Sequence, residues 1–117
     1  MSTTDRTHTH PRFSLESELT HPVRFSIVAA LAAVENSSFA ELRDDVQVSD
    51  SVLSKQISQL ESTGFVKVRK GFVGKRPRTT VSLTSTGLQR WRSHLGALQA
   101  IAGQAGSGGA AADDGSS

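Results

Sequence analysis

Ser51, Ser54, Lys55, Ser58 and Ser62 form the most unusual chemical pattern in the chain. At about 100° per residue they fall on one side of a helix, with Leu53, Ile57 and Leu60 opposite. A solvated helix face normally carries long charged side chains, whereas serine is a mediocre helix former. A row of short hydroxyls beside one lysine lets a helix backbone come close to a polar surface. The DNA major groove is such a surface, and it admits one α-helix. There Lys55 can donate to guanine O6 or N7, while a serine hydroxyl donates or accepts and so discriminates weakly. Gln59 lies at the margin of the same face.

A second group is basic. The formal net charge is only +2, but it is unevenly spread. No acidic residue occurs from Ser62 to Ala112, a span that holds eight of the thirteen basic residues. Six of these (Lys67, Arg69, Lys70, Lys75, Arg76 and Arg78) lie within twelve positions. So dense a cluster points to a polyanion more strongly than the overall balance does. Arg69, Lys70, Lys75, Arg76 and Arg78 are the expected phosphate contacts, each releasing condensed counterion. Arg78, behind Pro77 in a stiffened turn, is also suited to a narrow A·T-rich minor groove. A plain solvent face and a solvated hairpin are the ordinary alternatives, and each is less economical when the two features adjoin.

Other chemistries lack their residues. There is no cysteine and no tyrosine, so no disulfide or thiolate metal site is available. The histidines sit in an N-terminal arm (His8, His10), at a helix start (His21) and on the last helix (His94). His8 and His10 have no third ligand, and no serine has a base beside it as a nucleophile requires. No catalysis, metal or cofactor is expected. No apolar run reaches the roughly 18 residues of a membrane span, and no secretory apolar region opens the chain. The cytoplasm is the expected compartment.

These groups need a scaffold to hold them. Residues 1–17 read as a flexible arm, and 103–117 as a disordered Gly/Ala/Ser tail too poor in apolar residues to offset ordering entropy. Between them, 18–102 should form one small domain. A first helix starts at His21-Pro22 and runs to about Val34, apolar on two sides. Val23, Ile27, Leu31 and Val34 make one side; Phe25, Ala29 and Ala32 make the other. Ser38-Phe39-Ala40-Glu41 fits a capping box for a second helix ending near Asp45. Ser49 caps the third helix and Gly64 stops it. Two helices so joined form a helix-turn-helix. Phe65 to Arg69 and Thr79 to Leu83 then read as paired strands around a basic loop over 71–78. Thr84 or Ser85 opens a last helix, on which Leu88, Trp91, Leu95, Leu98 and Ala102 recur at coiled-coil spacing. That stripe either packs on its own domain or, as expected here, with Phe25 and Ala29 against a second copy.

In this order the elements resemble the winged helix-turn-helix transcriptional regulators, near the MarR and ArsR groups. The resemblance covers about residues 20–99. It rests on His21-Pro22-Val23-Arg24, Phe39-Ala40-Glu41-Leu42, Asp50-Ser51-Val52-Leu53-Ser54 and Leu60-Glu61-Ser62-Thr63-Gly64-Phe65-Val66. Lys70-Gly71-Phe72-Val73-Gly74-Lys75-Arg76-Pro77-Arg78-Thr79 and Leu83-Thr84-Ser85-Thr86-Gly87 complete it. It implies a homodimeric regulator of double-stranded DNA, with the third helix (about 50–63) in the major groove and the wing (about 69–79) on the backbone or in a minor groove. Lys55-Gln56 stands where members often carry a histidine, a departure that bears on base preference. The cysteine and histidine clusters of ArsR-type metal sensing are missing. The expected fold is therefore mainly α with a two-stranded β wing and a long C-terminal helix. The expected base-reading residues are Ser51, Ser54, Lys55, Ser58 and Gln59. The alternative is a winged-helix protein-interaction module that works through its apolar stripes.

Overall fold

The structure, a computed structural model, describes residues 10–116, with side chains for 10–104. Residues 16–91 form one compact unit, and the flanking residues belong to another. The elements run α1 (Pro22–Ala32), β1 (Ser37–Ser38), α2 (Phe39–Val46), α3 (Asp50–Ser62), β2 (Val66–Val73), β3 (Arg76–Leu83) and α4 (Ser85–Ser116). This is a mainly helical winged helix fold with a long C-terminal helix.

Each helix starts on a residue that satisfies its free amides. His21 Nδ1 accepts from Val23 N ahead of Pro22. Ser38 and Glu41 form a reciprocal capping box, and Ser49 Oγ accepts from Val52 N at 3.2 Å. Thr84 caps α4: its hydroxyl accepts from Gly87 N at 2.8 Å while donating to the Gly64 carbonyl at 2.6 Å. α3 ends in a Schellman motif, with Gly64 at φ +85°, Gly64 N on Glu61 O and Phe65 N on Leu60 O. Phe65 and Leu60, the apolar pair of that motif, are both fully buried. The core of this unit gathers Leu19, Ile27, Val28, Leu31, Leu42, Leu53, Leu60, Phe65, Val66 and Val81.

Two expectations are corrected. α1 stops at Ala32, so Val34 lies beyond the helix and is exposed. The wing has no eight-residue loop, because its strands pair as far as Val73↔Arg76 and leave Gly74 and Lys75 as a two-residue turn. Gly74 (φ +64°) supplies the positive φ that a tight hairpin turn needs at its first position. Pro77 is tolerated within β3. The pair beside the closing one is of the non-hydrogen-bonded kind, so its missing N–H faces away from β2, where β1 reaches only Thr80 and Val81. The sheet has a third, two-residue strand, in the antiparallel order β1-β3-β2. At the ends, 11–14 and 17–20 form two short 3-10 turns, with Leu19 buried. The last helix spans Ser85–Ser116. The histidine at position 8 lies outside the described residues.

Candidate nucleic-acid interface

α3 is held at its start by an ion pair. Arg43, in the last turn of α2, donates to the Asp50 carboxylate at 2.8 Å and lies 3.5 Å from that of Asp44. The hydrogen bond to Asp50 raises the Arg43 pKa above its ordinary value. Asp50 also complements the positive end of the α3 dipole. The inner face of α3 buries Leu53, Ile57 and Leu60 together with Gln56.

Gln56 is matched by Arg24, which donates to its side-chain oxygen at 2.8 Å and, through Nε, to the Glu18 carbonyl at 2.8 Å. The Glu18 carboxylate lies 3.3 Å from Arg24 Nε. At the far end of α3, Arg90 donates to Thr63 O at 2.7 Å and to Glu16 at 2.8 Å. Its guanidinium stacks 3.9 Å from the Phe65 ring centre. The helix is thus fixed at its start, middle and end by arginines on three other helices.

The outer face is open. Ser51, Ser54, Lys55, Ser58, Gln59 and Ser62 are all exposed. Ser51 Oγ lies 3.3 Å from Ser49 Oγ, and Ser62 Oγ donates to Gln59 O. Gln59 differs from the rest because its amide donates to both Glu18 carboxylate oxygens at 3.2 Å. To read a base it must leave that carboxylate.

The register sorts the wing cations onto two faces. Lys67, Arg69, Arg76 and Arg78 project from one side of the ribbon, since side chains alternate along a strand and paired residues share a side. Val66, Val68, Lys70, Phe72, Pro77, Thr79 and Val81 project from the other. Lys70 and Thr79 from the wing and Ser54, Ser58 and Glu61 from α3 line one depression of about 260 Å³. Lys70 is therefore the wing cation beside the hydroxyl face, and Glu61 brings a carboxylate to the same place. Lys75 occupies the turn. Arg78 lies 4.0 Å from Glu41 in the first turn of α2. The Ser38 backbone N–H, then its hydroxyl, and more weakly Arg78 hold the Glu41 carboxyl below its usual range.

Of the residues assigned to contact with a second copy, Phe25 and Trp91 meet within one chain, their ring centres 5.1 Å apart. Trp91 is 8% exposed. Ala29, Leu88 and Leu95 are half-buried, and Leu98 is exposed. Arg43, Arg24 and Glu18 were given no part by the sequence. Arg43 had one visible mark, a cation at a helix C-terminus seven residues before a carboxylate at the next helix's start.

Residues 23–102 match the model of a family described as a winged helix DNA-binding domain. The chain is 27% identical over 73 residues to an uncharacterized protein of Methanocaldococcus jannaschii, covering 62% of this chain and 79% of that one. Among solved structures, it is similar to a transcriptional regulator homologue from Pyrococcus horikoshii OT3, with TM-score 0.68 and 30% identity over 72% of this chain and 83% of the other. A MarR family transcriptional regulator from Silicibacter pomeroyi gives TM-score 0.61 at 20% identity, covering 74% and 57%. A MarR mutant from E. coli complexed with operator DNA gives 0.57 at 19%, covering 71% and 56%. These last two likenesses are of fold.

Proposed function

The chain belongs to the winged helix DNA-binding domain family, whose members are DNA-binding regulators and not enzymes, and we propose that it controls transcription as a homodimer with α3 in the major groove. Ser51, Ser54, Lys55 and Ser58 read base edges there, with Gln59 joining once it is released by Glu18. Lys70 contacts phosphate next to α3. Arg69, Lys75, Arg76 and Arg78 follow the backbone or enter the adjoining minor groove. The observation that carries this reading is the depression that Ser54 and Ser58 share with Lys70 and Thr79, since one curved anionic surface can touch both elements there.

Short hydroxyls give modest discrimination for each half-site. A two-fold protein sharpens this by engaging two half-sites about one helical turn apart. Phe25, Ala29, Leu88, Trp91, Leu95 and Leu98 are the residues proposed for the contact between copies. Among the described residues no helix is long and apolar enough to cross a membrane, and the cytoplasm is the proposed compartment.

A fluorescence titration on random duplex at low salt tests this reading. Binding in the micromolar to 100 μM range, weakening steeply with salt, is the result expected even of non-specific contact. Sequencing the duplexes retained from a randomised pool then reports half-site sequence, spacing and symmetry. No binding up to about 100 μM favours a protein-interaction module instead.

A further inference from the structure

We propose that Phe72, with Pro77 across the ladder, is an apolar wedge that enters a DNA minor groove and unstacks one base step; this rests on the DNA-binding reading above. Phe72 is 74% exposed, more than any other large apolar side chain among the described residues. It stands one pair back from the turn, opposite Pro77, and helps to fill no core. Its face of the ribbon is the one that carries Lys70, which borders the depression shared with Ser54 and Ser58. The wedge and the hydroxyl face of α3 therefore open to one side.

The ribbon has the reach. β1 pairs no further than Thr80, and the four further residues to Arg76 extend it by roughly 13 Å, against a minor-groove depth of about 7.5 Å. Charge selects the occupant. Lys70 shares the face of the two apolar side chains, Lys75 occupies the adjoining turn and Arg76 and Arg78 lie on the other face of the same ribbon, and no acidic residue occurs from Ser62 to Ala112. An apolar protein partner would add no counter-charge for these cations beyond Glu41 at Arg78 and Glu61 near Lys70, whereas phosphates on both strands of a minor groove supply it. Phenylalanine and proline are among the side chains that part base steps from that groove. Pyrimidine–purine steps such as TpA yield most readily.

Permanganate, which oxidises unstacked thymines, provides the test, on a TpA-containing duplex taken from the retained pool. Bound wild-type protein is expected to make one thymine per half-site reactive. Phe72→Ala is expected to abolish that reactivity and weaken binding about tenfold. Its salt slope stays that of the wild type, because no charge is removed. Phe72→Leu, which keeps an apolar wedge, is expected to retain the reactivity and so shows that the site folds. Wild-type binding without a reactive thymine overturns the wedge and leaves the DNA-binding reading intact. So does a Phe72→Ala protein that keeps full reactivity, or one that loses self-association while binding DNA unchanged. Failure of the wild type to bind any duplex at low salt overturns the DNA-binding reading itself.

Discussion

Arg24 donates to the side-chain oxygen of Gln56 at 2.8 Å, and this bond joins the buried polar position of α3 to α1. Gln56 is 9% exposed, so its carbonyl has lost most of its water and depends on this donor. Arg24→Ala would leave that acceptor unpaired and release Glu18, at a cost of about 2 kcal/mol. Arg24→Met combined with Gln56→Leu replaces both partners by apolar groups and should recover much of the loss. Urea unfolding of the single and double variants measures this, and equal losses in the two would contradict the coupling.

Lys55 and Arg76 should separate base reading from phosphate binding. Lys55 is exposed on α3 between Ser54 and Ser58, while Arg76 closes the hairpin turn. Lys55→Ala is expected to alter the ranking of operator variants, with about 1–3 kcal/mol lost on the preferred base. Arg76→Ala is expected to weaken all sequences alike and to reduce the salt slope by about one. Titrations of both variants on matched and mismatched duplexes at several salt concentrations decide it. A uniform loss from both changes removes the base-reading role of Lys55.

The elements were legible in the sequence wherever local chemistry decides them. Ser38 with Glu41, Ser49 and Gly64 announce helix ends because each meets a need of the backbone within four residues. The turn before α3 was less plain: Gln47 adopts φ +60° in place of the glycine or asparagine that normally marks such a position. The wing was drawn too short because Gly71 and Pro77 look like breakers. Glycine keeps its N–H and can pair in a ladder, while the tolerance of Pro77 depends on which ladder edge it faces, and that is fixed only by the register. The hydroxyl face of α3 followed from periodicity alone. The arginines that fix the helix did not, because Arg24 and Gln56 are thirty-two residues apart in the chain. The same limit hid the Gln59–Glu18 pair, forty-one residues apart.

Gly87 is required by a close approach and not by its dihedral angles. A Cβ there would run into the Phe65 carbonyl oxygen and lie 2.9 Å from its carbon. That carbonyl also accepts from Thr84 N at 3.0 Å and cannot retreat without straining that bond. On an open helix, Gly→Ala gains roughly 1 kcal/mol. Here Gly87→Ala is expected to cost about 2 kcal/mol through overpacking, a fall of roughly 10 °C in Tm. Thermal unfolding reads the sign directly: a rise in Tm would mean that α4 and Phe65 separate without penalty.

Glu41 makes stability depend on acid. The Ser38 backbone N–H, the Ser38 hydroxyl and Arg78 favour its ionised form, so its folded pKa lies below the ordinary 4.5. A group with a depressed folded pKa contributes stability in full above its unfolded value and loses it as pH falls through the folded one. Wild type should therefore exceed Glu41→Gln in stability above roughly pH 5, and the two should converge in stronger acid. Protonation would also remove the charge that faces Arg78 at 4.0 Å, freeing that side chain for phosphate. Urea midpoints of both proteins across this range provide the check, and parallel curves would remove Glu41 as the titrating group. Arg78→Ala separates the two contributions: the capping-box part of the pH dependence should persist, since the bonds between Ser38 and Glu41 do not involve the wing.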